Sequence, residues 1–150
     1  MAKEMTPAQF ISKLKRLLTQ FRDDNMFWFK MGKIARDQRK KEIYGKKDYT
    51  GKAFKPLKKE TIARKRAQGA GDPLKPLVGL TRKLMDADIE VGSGTAKLIL
   101  DKKVAYHSAE TRAKGVPLRP CDKLSEEIKD KVTVFFERRL QRFITNAFGK

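Results

Sequence analysis

Charge interrupts this chain so often that no long apolar element is open to it. The longest stretch free of Lys, Arg, Asp and Glu runs from Met5 to Ser12, eight residues in a chain of 150. A membrane-spanning helix needs about 20 apolar residues and a secretory leader needs a continuous apolar core. Neither is expected, and the chain reads as soluble and cytoplasmic when made. Any core must therefore be assembled from amphipathic pieces with charged outer faces. Nine Phe and an apolar fraction of 39% suffice for one such core, in a single domain spanning 1–150. One Cys and one His rule out an internal disulfide and a four-ligand zinc cluster.

The pieces are legible. Thr6, Pro7 and Gln9 have the grammar of a helix start: cap, first-turn proline and the third-position amide of a capping box. Phe10, Leu14, Leu17, Leu18 and Phe21 follow as one apolar stripe, broken at 22–25. A second helix is expected from about Asn25, with Phe27, Met31, Ile34 and Ala35 inside and Lys30, Lys33, Arg36 and Lys40 outside. Gly45 is expected to end it in the left-handed conformation. The two helices, 1–44, form a helical hairpin.

Residues 45–75 read as a basic, flexible loop with a short helix near 58–67, and 68–73 is rich in turn residues. In the segment 76–121, Ile89 and Val91, then Ala96, Leu98 and Leu100, alternate around Gly92-Ser93-Gly94. That pattern predicts a hairpin with a three-residue loop. Over 122–148, Leu124, Ile128, Val132, Phe135, Phe136, Leu140, Phe143 and Ile144 make the apolar face of a long helix capped by Asp122 or Ser125. The aromatic stripes read as core. Phe27, Trp28 and Phe29 stand about 100° apart, so one helix face cannot bury all three; Trp28 or Phe29 should meet another element or another subunit. The fold class is α+β: N-terminal helices, a small antiparallel sheet and a long C-terminal helix.

The excess of charge is uneven. Of 36 basic and 18 acidic residues, twelve basic and three acidic lie between Arg39 and Arg66. Arg39, Lys40, Lys41, Lys46, Lys47, Lys58, Lys59, Arg64, Lys65 and Arg66 form a candidate assembly or DNA-facing surface. Tyr44, Tyr49 and Phe54 interleave with them and could stack on bases. No helix-turn-helix, zinc-finger or RNA-binding signature gives this surface a reading element. Candidate chemistry is thin. His107 is the only imidazole, Cys121 lacks an orienting partner, and Asp86, Asp88 and Glu90 fit the solvated side of a hairpin better than a metal site. No catalytic residue, cofactor or metal is expected; the chain does not read as an enzyme.

Several segments, in order, resemble the bacteriophage virion morphogenesis, or tail completion, proteins of Mu-like, P2-like and related tailed phages. Tyr49-Thr50-Gly51-Lys52-Ala53-Phe54-Lys55-Pro56-Leu57 is similar to that family's Gly-x-x-aromatic-x-Pro-Leu loop, followed by Thr61 to Arg66 as its basic helix. Pro76 to Leu84 resembles its Leu-x-x-Thr-Gly-x-Leu element, with the Gly at position 79 and Arg82 where the family usually has Gly. Val104-Ala105-Tyr106-His107 and Val116-Pro117-Leu118-Arg119-Pro120 resemble two further segments. The likeness spans about 45–145.

The resemblance implies a small, non-enzymatic α+β structural protein of the neck. Such a protein completes the tail and joins it to the head as part of an oligomeric ring. Tyr49, Gly51, Phe54, Pro56 and Leu57 would form an assembly loop, and Pro117, Arg119 and Pro120 a family-like segment before the last helix. Implied partners are further copies of the chain, adjoining neck and tail proteins and genomic DNA in the channel. The implied location is the virion, and the host cytoplasm during assembly. The alternative is a non-specific DNA-binding protein using residues 39–66.

Overall fold

The computed structural model describes residues 5–69, 88–99, 102 and 123–149. The expected α+β architecture is present. Helices α1 (Pro7–Arg22), α2 (Asn25–Tyr44) and α3 (Lys59–Gln68) precede strands β1 (Asp88–Gly92) and β2 (Thr95–Ile99), and α4 (Glu126–Phe148) closes the order.

Local chemistry sets the helix starts. Thr6 Oγ1 accepts from Gln9 N while Thr6 N donates to Gln9 Oε1, the reciprocal capping box expected at α1. Asp24 caps α2, its Oδ1 accepting from Phe27 N at 3.1 Å. Ser125, not Asp122, caps α4 through Ile128 N at 3.2 Å.

The end of α2 departs from expectation by one residue. Gly45 has φ −73°, and Lys46 takes the left-handed position at φ +59°. Lys47 N donates to Glu42 O and Lys46 N to Ile43 O, so the last carbonyls are closed by a Schellman pattern centred on Lys46.

Helix α4 is the spine. Phe27 stacks on Phe135 with centroids 5.3 Å apart, and Arg139 donates to Asp24 Oδ2 at 2.8 Å. Farther along, Lys131 reaches Gln38 and Ser125 reaches Glu42, so α2 runs antiparallel to the N-terminal half of α4. Helix α1 meets the other half: Phe21 touches Phe136 and Phe143, and Phe10 touches Phe148. At the α1–α2 elbow, Phe21 packs on Phe27 and Trp28.

The hairpin covers an adjacent side of α2. Its antiparallel register pairs Ile89 with Leu98 and Val91 with Ala96, leaving Asp88, Glu90 and Lys97 exposed, the alternation expected of a strand pair with one packed face. Gly92 pairs with Thr95, so the loop has two residues, Ser93 and Gly94, rather than three. Gly94 supplies the required positive φ of +70°. Gly32 lets the sheet close on the helix, since a Cβ there would lie 2.6 Å from Ile89 Cγ2. The turn also locks onto the elbow: Gly94 N donates to Arg22 O at 2.8 Å, and Ser93 Oγ to Asp23 Oδ1 at 3.0 Å. Trp28 Nε1 donates to the same Arg22 carbonyl at 2.9 Å, satisfying a helix-terminal acceptor. Trp28 thus meets other elements, as one of the three clustered rings had to, while Phe29 stays exposed.

Among the described residues the buried apolar core consists of Phe21, Phe27, Ala35, Ile43, Phe54 and Ile128. The α1 stripe enters it only at Phe21. Phe10 is 46% exposed and Leu18 57%, and Leu14 is also exposed, so the expectation that this stripe is core is corrected. Among the described elements, α1 lies mainly on α4 and touches α2 only at the elbow, and so narrow a contact cannot cover an apolar arc this wide.

Candidate functional surfaces

Two surfaces stand apart chemically, and both are set by what happens at the ends of α2. At its C-terminal end the helix buries polar groups. Arg39 is 3% exposed and donates to Glu42 at 2.7 Å, and the Ser125 hydroxyl donates to the other Glu42 oxygen. Gln38 is buried beside them and accepts from Lys131. Arg39 therefore leaves the exposed basic surface on which the sequence had placed it. Its charge is compensated by a carboxylate three residues on, and that carboxylate, through Ser125, joins α2 to the start of α4.

The loop that follows is built rather than loose. Asp48 Oδ1 accepts from Thr50 N at 2.8 Å, Thr50 Oγ1 at 2.7 Å and Lys52 N at 3.0 Å. Asp48 N donates back to Lys52 O at 2.8 Å, Lys47 bridges Ala53, and Phe54 N donates to Lys46 O at 2.7 Å. Gly51 takes φ +83° at the tip. Burial pulls the Asp48 carboxyl up, but the Thr50 and Lys52 donors and the Arg39 guanidinium outweigh it and hold the group below its ordinary value. The segment expected to be flexible is thus closed by hydrogen bonds from 46 to 54, and Phe54 is anchored in the core. Tyr49 and Leu57 are half-buried, and Pro56 is exposed.

Beyond this loop, α3 buries no side chain among the described residues. Lys41, Lys46, Lys47, Lys58, Lys59, Arg64 and Arg66 are exposed, and Lys40 and Lys65 are half-buried. Lys52 and Lys55, which belong to the same surface, were not singled out from the sequence, although the run of cations between Lys46 and Lys59 signals them. The interleaved rings are spoken for: Phe54 is core, Lys123 lies over Tyr49 at 5.3 Å from the ring centroid, and Lys40 over Tyr44 at 5.8 Å.

The second surface is apolar. Phe10, Ile11, Leu14 and Leu18 of α1 are exposed, and Ile144 of α4 is exposed as well. Lys13 lies over Phe148 at 4.8 Å, flanking this strip with positive charge. Between α2, the hairpin and the start of α4 there is also an open groove of about 450 Å³, lined by Met31, Ala35, Leu98, Leu124 and Val132 among others.

Nothing in the described residues gathers catalytic groups. Asp88 and Glu90 share the exposed side of β1, and no cluster of three His, Cys, Asp or Glu able to hold a metal ion occurs among the described residues. Asp86, Leu100, His107, Cys121, Asp122 and the segments 70–73, 76–84 and 116–120, with Pro117, Arg119 and Pro120, lie outside the described residues. No described helix is long and apolar enough to cross a membrane. No protein-family model, curated protein or solved structure matches the chain.

Proposed function

We propose that this chain is a non-enzymatic structural protein of a tailed-phage neck, completing the tail and joining it to the head as one copy in an oligomeric ring. The observation that carries the reading is the exposed apolar row on α1. A chain with 36 basic and 18 acidic residues repels its own copies. Self-association therefore needs a contact that is apolar, and Phe10, Ile11, Leu14 and Leu18 supply one. Fully burying a Leu side chain is worth about 1.5–3 kcal/mol, so a few such residues per copy can hold a ring. The neck-like segments, occurring in sequence in the family's order, supply the phage context, and the first part of the loop, 46–54, is hydrogen-bonded into a defined shape fit for docking.

The test is complementation. A phage lacking the gene should accumulate filled heads and separate tails, and the wild-type chain should restore joining. The Leu14→Glu/Leu18→Glu chain should fold without restoring it. Normal infectious particles in the absence of the gene would end this reading.

A further inference from the structure

We propose that the 46–58 loop and α3 together form a docking surface for the phosphate backbone of duplex nucleic acid, one that does not read bases. The inference does not rest on the neck reading and would hold for a monomer.

Nine cations fall between positions 46 and 69 against two carboxylates, Asp48 and Glu60. Asp48 is spent on its own loop, accepting from Thr50 and Lys52. Each of the nine cations except Lys65 is exposed, and none of those eight has an ion pair among the described residues. Beneath Lys46, Lys47 and Lys52 the backbone is held by the Lys47–Ala53 bridge and by Phe54, and the later cations are carried by the regular geometry of α3 and the short stretch before it. On α3, Lys59 and Arg66 lie seven residues apart on one flank and Arg64 on the other, with the small Ala63 and Ala67 and the exposed carboxylate of Glu60, at the first turn, between them. Thr61, Ile62 and Lys65 form its less exposed side. Past Glu60, along Ala63 and Ala67, a strand of phosphates can therefore approach the helix closely while cations reach it from both flanks.

Partner class follows from what the surface lacks. Single strands are gripped by open aromatic faces on which bases stack. Here Phe54 is in the core and Tyr49 is half-buried under Lys123; Tyr44 is exposed but precedes the loop and has Lys40 over its ring, so no run of open rings exists on this surface among the described residues. Protein interfaces are centred on aromatic and apolar anchors and are depleted in Lys. No exposed large apolar side chain falls between 46 and 69, and seven of the nine cations are Lys. A surface of compact point charges without anchors fits regularly spaced phosphates.

The experiment is fluorescence anisotropy of the full chain with a labelled duplex of arbitrary sequence, from about 50 to about 200 mM salt. Contact with roughly six phosphates predicts a slope of log affinity on log salt near −5, or about a 1,000-fold loss across that range. Lys58→Gln/Lys59→Gln/Arg64→Gln/Arg66→Gln should flatten the slope by about 4 and weaken binding roughly 100-fold at low salt. The charge-matched control Lys15→Gln/Arg16→Gln/Arg138→Gln/Arg142→Gln should stay within about 3-fold of wild type, because those residues lie elsewhere.

Equal losses in the two variants would overturn the proposal, since net charge alone would then explain binding. A wild-type slope shallower than about −2 would also overturn it, and needs no variant. Tighter binding to a single strand of equal length, or competition by poly-glutamate as strong as by duplex, would assign the surface to the other partner class and refute this one.

Discussion

The two halves of α4 carry similar apolar stripes and meet different fates. Its N-terminal half packs on α2, which also carries the hairpin on an adjacent side, so three layers of structure meet there. There Ile128 and Ile43 are fully enclosed, Phe27 stacks on Phe135, and even Arg39, Gln38 and Glu42 are buried because each has a partner. Among the described elements, its C-terminal half has only α1 beside it. The rings meet there as well, Phe10 on Phe148 and Phe21 on Phe143, yet Phe10, Leu14, Leu18 and Ile144 remain in water. Amphipathicity decides which side of a helix turns inward, but only the number of neighbours decides how much of that side is covered. Among the described residues, one end is enclosed and the other keeps an exposed apolar face.

If that contrast is right, the largest effects on stability belong to the three-layer end. Arg39→Ala leaves Glu42 buried without its cation and should cost about 3–5 kcal/mol in chemical denaturation. A loss under 1 kcal/mol would mean that the pair is not part of the enclosed structure. Gly32→Val places a side chain where Ile89 already sits and should cost about 1–3 kcal/mol by forcing the hairpin off α2. It should also perturb Trp28 fluorescence, since the turn next to Trp28 would move.

Smaller effects sharpen the comparison. Lys46→Gly relieves a left-handed Lys and should stabilise the chain by about 0.5–1 kcal/mol, measured as a rise in denaturation midpoint. Asp24 also has a lowered carboxyl pKa: burial opposes the shift, but the Arg139 hydrogen bond, the Phe27 amide and the nearby Arg139 and Lys30 charges prevail. Groups lowered in the fold stabilise it above their unfolded pKa. The contribution of Asp24 and Asp48 should therefore be intact at neutral pH and lost as pH falls below about 3.9 and through their folded values. Asp24→Asn/Asp48→Asn should show a shallower acid limb; an unchanged limb would remove both groups from the account. Least of all should α3 matter, where Lys59→Gln/Arg66→Gln is expected to change stability by no more than about 0.5 kcal/mol.

Much of this arrangement is legible in the residues alone, where the cause is local. The Thr6–Gln9 capping box, the extent of α2 and the solvated side of β1 follow from neighbours in sequence. The errors come where tertiary partners decide. Gly45 is an obvious left-handed residue, but the hydrogen bonds from Lys46 and Lys47 back to α2 move the turn on by one. A stretch without period, 46–56, reads as loose because side-chain bonds such as those of Asp48 leave no periodic trace. Arg39 reads as exposed because its burial depends on Glu42 and on Ser125, 83 positions beyond Glu42. The α1 stripe reads as core because spacing shows a face but not whether another element covers it. The basic surface, by contrast, is visible from composition, and the structure removes Arg39 from it and adds Lys52 and Lys55.

The contrast between the two ends is tested most directly by sedimentation velocity of the wild-type chain beside Leu14→Glu/Leu18→Glu. The account predicts that the wild type sediments as an oligomer and the variant as a monomer with unchanged helicity. A wild type that remains monomeric as its concentration rises, or a variant that assembles as the wild type does, would contradict it.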